Sequence, residues 1–424
     1  MAKGGSGGGS GGLPGFRDFY PDEFAARAFI LDGWRDVARR FGFVEYDGPP
    51  LEPLELYTKK SGEEIVGQLY SFTDKGSRDV ALRPEMTPTF ARMVGARANA
   101  MRKPIRWFSI PQLFRYERQQ KGRLREHFQL NVDIVGESEV SADAELLAVA
   151  VECMRVFGLG PEDVRARVSD RRLLQAILAS LGVPGERVAG VFTVIDKLDR
   201  QPLDVSREKL NAAGVDGSAA DRILGLRELT SIEALRAAFR DPAVEERIAE
   251  LERYFDCLRS LHVLEWVDMD LTIVRGLAYY TGTVFELFDA SGEFRAICGG
   301  GRYDNLLASL TSVDLPALGF GMGDVVLGEL LKARGKLPEH APALDYWVAY
   351  EDAAQRPEAM RVATVLRRNG SSAEYALRPL QLGKQLDAAR KAGATAAVIL
   401  RADGTLRRKA FASGAEESFT LPHG

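Results

Sequence analysis

Between Pro21 and Phe41 the apolar residues Phe24, Ala28, Leu31, Trp34, Val37, Ala38 and Phe41 recur at intervals of three and four. That period predicts an amphipathic helix, and Gly42 is placed to end it. The stretch from Phe43 to Leu56 carries Pro49, Pro50 and Pro53, which forbid a continuing helix and predict an extended segment at a sheet edge or interface. Two strand-like runs between Ile105 and Gly136 flank a charged loop, the pattern of a long antiparallel hairpin. A helix is expected next, starting near Ser141 and Asp143 and presenting Leu147, Ala150, Val151, Met154 and Phe157 on one side. From about Arg171 to His262 the chain reads as helical and charged, with few strand signals, and is expected to form a helical insertion. Strand character returns from Leu264 to Asp289 and near Arg295 to Cys298, followed by a helix near Val325 to Ala333.

The Lys-, Gly- and Pro-rich link Arg334 to Pro342 reads as a domain boundary. Beyond it strand (Asp345 to Tyr350), helix (Gln355 to Asn369), strand (Ser372 to Tyr375), helix (Gln381 to Ala392) and strand (Ala396 to Leu400) alternate, as in a small α/β domain. Gly4 to Gly12 contains only glycine and serine and reads as a flexible linker or cloning scar, because it has no side chains to pack. The expected organisation is a linker at 1–12, a main domain at 13–340 with the insertion at about 171–262, and a smaller domain at 341–424.

Composition narrows the class. Of 424 residues 46% are hydrophobic and 27% charged, which fits a globular protein of two or three domains. No stretch approaches the roughly 20 apolar residues of a membrane-spanning helix, and no apolar signal core leads the chain. The expectation is a cytoplasmic location without membrane contact. Cys153, Cys257 and Cys298 are too scattered for a disulfide framework or a C-x-x-C metal site, so no protein side chain is assigned to a metal. The net charge of -4 gives no global argument for nucleic acid. Regionally, residues 341–424 hold 12 Lys and Arg against 9 Asp and Glu, and the rest of the chain is acidic.

The hairpin holds the densest chemistry. On strands alternate residues share a face, so Arg115 and Glu117 point one way, as do Gln129, Asn131 and Asp133. Phe128, Leu130, Val132 and Ile134 take the reverse. One sheet surface is therefore polar while its back is core, and a charged sheet face is costly unless its groups bind one another or a ligand. Arg118, Lys121, Arg123 and Arg125 surround Gly122 in the intervening loop, a cluster suited to phosphates or a nucleic-acid backbone. His127 is a lone histidine near a strand start, a placement that is more often structural than catalytic.

This hairpin resembles motif 2 of the class II aminoacyl-tRNA synthetases in its histidyl form. Val274 to Glu286 and Ile297 to Asp304 resemble two stretches peculiar to histidyl enzymes, and Leu82 to Pro88 resembles their amino-acid-binding loop. Gly42 to Glu52, with Pro49, echoes motif 1. The resemblance implies an α+β fold: an antiparallel sheet of six or seven strands with flanking helices, the helical insertion, and a C-terminal α/β anticodon-binding domain. It implies a homodimer that ligates L-histidine to tRNA(His) through a histidyl-adenylate, using ATP and Mg²⁺. Carried over by position, Arg115 and Arg275 would be the catalytic cations on the α-phosphate. Glu117 would meet the adenine or ribose side, and Phe128 would stack on adenine. Glu85, Thr87 and Gln129 would hold the amino group, while Asp133, Tyr279 and Tyr280 would surround the imidazole. Gln120 and Arg125 would contact the extra 5′ guanosine of the transfer RNA.

The sequence departs from the family pattern in two places. After the glycine-rich strand Gly319 to Gly323, Val325 and Val326 stand where motif 3 has Glu-Arg, whose arginine clamps the adenine ring. Ala278 replaces an acidic residue common in the first histidyl stretch. The alternative is the synthetase-like regulatory subunit of ATP phosphoribosyltransferase, which binds histidine without charging RNA. Such subunits generally lack the anticodon domain that residues 341–424 resemble.

Overall fold

The computed structural model describes residues 12–58, 66–117, 124–215, 217–274, 279–338 and 344–422. The chain forms two compact units: residues up to 20 with Arg27–Leu337, and Pro21–Ala26 with the chain from Pro338 onward.

The first unit is built on a nine-stranded sheet. Its central run is Ile105–Ser109, Glu126–Val135, Ala317–Gly323, Cys298–Arg302, Thr283–Asp289 and Val164–Asp170, each antiparallel to the next. Val44–Glu45 and Val267–Met269 add parallel edges, and Gln112–Phe114 pairs with the early part of Glu126–Val135. The sheet is thus mixed and wider than the six or seven strands expected, because these short edge segments have too few residues to show a period.

One face of this sheet is core. Leu130, Val132 and Ile134 share it with Leu318, Phe320, Met322, Phe285 and Leu287, packed with Trp34, Leu147, Val151 and Leu327. Gly300 pairs with both Phe285 and Phe320, whose rings meet edge to face with 6.2 Å between centroids. A Cβ on Gly300 would come within 2.6 Å of the Gly319 carbonyl oxygen and 2.8 Å of the Phe320 Cα. The two rings fill the space that the glycine leaves. Helix Val140–Arg155 is locked to the sheet by Arg302, whose Nε–H donates to both Asp143 oxygens at 3.1 Å. The pair is buried, and burial pushes the Asp143 carboxyl up to about 6 despite the guanidinium. This helix starts from Glu139 without a side-chain cap, so the expected start at Ser141 and Asp143 is corrected: Asp143 is spent on Arg302 instead.

Between Asp170 and Val267 the described residues form helices and turns without a strand, including Arg171–Ser180, Val188–Ile195 and Pro242–Ser260. Asp241 caps the last of these by accepting from Ala243 and Val244 N–H. Strand Cys298–Arg302 begins where the sequence pointed to a strand ending, because Gly299, Gly300 and Gly301 carry no hydropathy signal. A small sheet of Leu51–Pro53, Asp79–Leu82 and Ser71–Thr73 precedes helix Thr87–Arg97.

The second unit has a five-stranded sheet in the order Ala373–Tyr375, Leu344–Tyr350, Ala394–Leu400, Leu406–Ala410 and Glu416–Ser418. The first three strands are parallel and the last two join antiparallel. Helices Arg356–Arg368 and Leu382–Lys391 pack their apolar sides on the parallel part. Among the described residues no helix is long and apolar enough to cross a membrane.

Candidate functional site

The other face of the large sheet is polar, and it borders a cavity of about 880 Å³. The strand Glu126–Val135 brings His127 and Gln129 to the cavity wall. Its neighbours contribute Gly321 and Gly323, then Gly299, then Glu286 and Phe288, and finally Arg167. The glycines form a floor without side chains. Gly321 is held to that role by Gln129, whose amide a Cβ would meet at 2.9 Å. Asp196, Asp199 and Arg200, from the helical insertion, complete the far wall, where Arg167 lies 3.4 Å from Asp199 and 3.5 Å from Asp270.

Arg115 and Glu117 line the same cavity. Arg115 follows the strand Gln112–Phe114, and its N–H donates to the Arg125 carbonyl at 3.0 Å, closing the base of the hairpin. Its Nε–H donates to the Pro84 carbonyl at 2.9 Å, which ties the guanidinium to the loop carrying Glu85 and Thr87. Arg83, buried in that loop, donates to the Asp47 carboxylate at 2.7 Å and to the Gly48 and Gln112 carbonyls at 2.8 and 3.0 Å. Glu85 is buried and Thr87 opens helix Thr87–Arg97. Neither borders the cavity itself.

Asp133 lies farther along the polar face, paired across the sheet with Trp107 on one side and Gly319 on the other. Its carboxylate accepts a short hydrogen bond from the Tyr303 hydroxyl. A Cβ at Gly319 would collide with the Asp133 carboxylate and stand 2.9 Å from the Tyr303 hydroxyl and 2.8 Å from the Val132 carbonyl, so glycine is required there. Tyr279 packs on Tyr280 and Tyr303 with centroids 5.0 and 5.8 Å apart. The structure therefore gathers Asp133, Tyr279 and Tyr280 in one aromatic cluster. Burial pushes the Asp133 carboxyl up to about 7, and the Tyr303 hydrogen bond opposes that rise.

One expected position is corrected. Phe128 faces away from the cavity, because strand alternation puts it on the side opposite His127 and Gln129. Its ring packs against Phe19 at 6.4 Å and under the Arg27 guanidinium at 4.7 Å. On this strand the ring that reaches the cavity is His127, where burial first and the Arg115 and Arg17 charges next hold the imidazole down to about 3. Arg275 and Ala278, like Gln120 and the loop cations Arg118, Lys121 and Arg123, lie outside the described residues. Arg125 stacks over the Tyr116 ring at 4.1 Å, and its Nε–H donates to the Glu117 carbonyl at 3.4 Å. Tyr303 was missed in the sequence, although it sits inside the second quoted stretch; its signal was a tyrosine two residues after a glycine triplet. Val325 and Val326 line the cavity.

Among the described residues no group of three or more His, Cys, Asp and Glu side chains could hold a metal ion by itself. Mg²⁺ commonly takes one or two carboxylates and completes its shell with water and substrate phosphates. Glu117 and Glu286, both on the cavity wall, fit that lesser demand.

The sequence model of the histidyl-tRNA synthetase family matches residues 15–323. A histidine–tRNA ligase of Opitutus terrae is 45% identical over 395 residues, covering 92% of this chain and 90% of the relative. Among solved structures, histidyl-tRNA synthetase from Nostoc sp. PCC 7120 superposes with a TM-score of 0.83 at 24% identity, covering 97% of this chain and 96% of that one. A Bacillus halodurans protein described as an ATP phosphoribosyltransferase regulatory subunit/histidyl-tRNA synthetase gives 0.76 at 23% identity, with 95% and 100% covered. At these identities the two structures speak to the fold, and the family rests on the sequence matches. With its polar sheet face, glycine floor and paired Asp133 and Tyr303 already in place, the chain belongs to the histidyl-tRNA synthetase family.

Proposed function

We propose that this protein ligates histidine to tRNA(His) in two steps. The histidine carboxylate attacks the α-phosphorus of ATP, forming histidyl-adenylate and releasing pyrophosphate, and the aminoacyl group then passes to the transfer RNA. The observation that carries this reading is the continuous polar face from the Asp133–Tyr303 pair, past Gln129, to Arg115 and Glu117. Along that face Gln129, Arg115 and Glu117 border the cavity, while Asp133 and Tyr303 are buried and lie outside its lining.

Asp133 and Tyr303, with Tyr279 and Tyr280, select the imidazole. A pocket that hydrogen-bonds its substrate rejects apolar isosteres strongly, since its own buried groups would be left unpaired. Gln129, Glu85 and Thr87 take the ammonium group. Arg115, oriented by its Pro84 contact, places a planar fork on the α-phosphate and carboxylate, where donors arranged in advance stabilise charge that builds in the transition state. Arg275 is the second such cation. Glu117 and Glu286 would hold Mg²⁺, which would supply charge neutralisation for the phosphates.

In this reading residues 13–340 are the catalytic domain, with 171–262 its insertion, 1–12 a linker, and 341–424 the anticodon-binding domain. Gln120 and Arg125 read the extra 5′ guanosine; equal charging of transcripts with and without it would remove that assignment. Two copies pair through the segment Gly42 to Glu52, where Val44, Leu51 and nearby Phe72 are exposed and association would remove them from water. A cytoplasmic location fits this role. The decisive test is histidine-dependent exchange of pyrophosphate into ATP by the folded chain. Exchange is expected; its absence would favour a histidine-binding regulatory subunit.

A further inference from the structure

We propose that Arg171 is a positioning residue for the reaction: it clips together the two ends of the segment Val274 to Gly282, which carries Arg275, Tyr279 and Tyr280, and ties that clip to the helical insertion through Phe192. The inference rests on the ligase reading above. It adds a side chain that lies outside the cavity lining and acts on the substrates only through that segment.

Three observations converge. First, Arg171 opens the helix Arg171–Ser180 directly after the strand Val164–Asp170. Asp170 fixes this corner, accepting the Leu173 N–H at 2.8 Å and the Thr283 hydroxyl at 3.3 Å. Second, Arg171 reaches both ends of the segment. Its backbone N–H donates to the Gly282 carbonyl at 3.0 Å, and its Nη1 donates to the Val274 carbonyl at 3.1 Å. Val274 is the residue before Arg275, and Gly282 comes after the two tyrosines. Third, the same guanidinium lies over the ring of Phe192, 4.9 Å from its centroid. Phe192 is buried in the insertion helix Val188–Ile195. Burial disfavours the Arg171 charge, and Tyr280 from the segment and Asp196 from the insertion oppose that. A second contact falls close by: Asp199 of the insertion is 3.4 Å from both the Thr272 hydroxyl and the Arg167 guanidinium.

A loop that must present a cation and two rings to small substrates works best when its ends are held before the substrates arrive. Arginine suits the task because its planar group can lay a face on Phe192 while its edge donates to a carbonyl, which a lysine point charge does not reproduce. A shift of the helix Val188–Ile195 is thereby transmitted to the groups that meet the imidazole and the α-phosphate. The insertion takes part in adenylation through this clip.

The experiment measures pyrophosphate exchange by the full chain with histidine and ATP varied separately, alongside histidine binding at equilibrium. Arg171→Met is expected to lower kcat/KM for histidine by roughly 10- to 150-fold, the loss of one hydrogen bond from a charged donor, with the KM for ATP moving less than about threefold. Arg171→Lys keeps the stem and charge and should still lose about tenfold; it carries the test if Arg171→Met does not fold. Phe192→Leu keeps apolar bulk but removes the ring face, and should lower kcat/KM for histidine by roughly 2- to 30-fold. In the Arg171→Met background the same change should add less than about twofold, because both remove one link. Unchanged kcat/KM for histidine in the Arg171 variants, equal losses for both substrates, or full additivity with Phe192→Leu would overturn the clip. If the parent chain itself gives no exchange, the ligase reading fails. Histidine binding then still decides the clip, by whether the Arg171 variants weaken it.

Discussion

A carboxyl group set against glycines and aromatic rings has little water to share its charge, and Asp133 is in that position. Burial raises it from the ordinary 3.8 to about 7, so the folded chain keeps a proton that the unfolded chain releases. Between about pH 4 and 7 the unfolded state binds fewer protons, and stability falls with rising pH by up to about 1.4 kcal/mol per unit from this group. Above about 7 the group ionises in both states and its slope ends. Asp133→Asn removes the titration. The stability difference, parent minus Asp133→Asn, should fall as pH rises from 4.5 to about 7 and then level, as read from urea midpoints at constant ionic strength; parallel curves would contradict this. Substituting Tyr303 by Phe should move the Asp133 carboxyl higher still, because the hydroxyl is what opposes the burial. A carboxyl titration followed by NMR checks that direction. Asp133 was legible from alternation along its strand, whereas Tyr303 was not. Its partner lies 170 residues away, and only the antiparallel register of three strands brings them together.

At the scale of elements, legibility followed side-chain pattern. Glu126–Val135 announced itself through alternating polar and apolar residues. Leu406–Ala410 did not, because Arg407, Arg408 and Lys409 are consecutive charges in a strand whose residues are all half-buried. The same limit hid the contact that joins the strand Glu126–Val135 to the helix Asp324–Ala333. Arg17 lies in an aperiodic stretch, yet it bridges Glu126, with a side chain 1% exposed, and Asp324, at 4%. Two buried carboxylates thus share one guanidinium, itself about a quarter exposed, with Gln112 and the Phe128 N–H as their neutral donors. Breaking such a group by removing one member leaves uncompensated charge, and Arg17→Met should cost about 3 kcal/mol in urea denaturation. The triple change Arg17→Met, Glu126→Gln and Asp324→Asn takes away the stranded charges as well and should recover part of that loss. A triple variant no more stable than Arg17→Met would show that packing of the arginine stem, not charge, is what matters.

For the whole molecule, a net charge of -4 conceals a division between the two units, and the basic excess falls in residues 341–424. Lys384 and Arg378 are exposed there, as is Leu377, the chain neighbour of Arg378, at 80%. The α/β alternation made this unit legible, since a repeated strand–helix pattern needs no long-range knowledge; which of its faces would meet RNA is not a property of any period. If the unit binds the anticodon region, contacts to phosphates are its main source of affinity, and each contact releases counterions and steepens the salt dependence. In the proposed reading adenylate formation belongs to the other unit and needs only a small substrate. The double change Arg378→Glu and Lys384→Glu should therefore lower kcat/KM for charging tRNA(His) by about tenfold or more, flatten its dependence on salt, and leave histidine-dependent pyrophosphate exchange at the parent rate. Loss of exchange together with charging would mean that the substitutions damage the fold. Unchanged charging at every salt concentration would place the RNA on another face of this unit, away from Arg378 and Lys384.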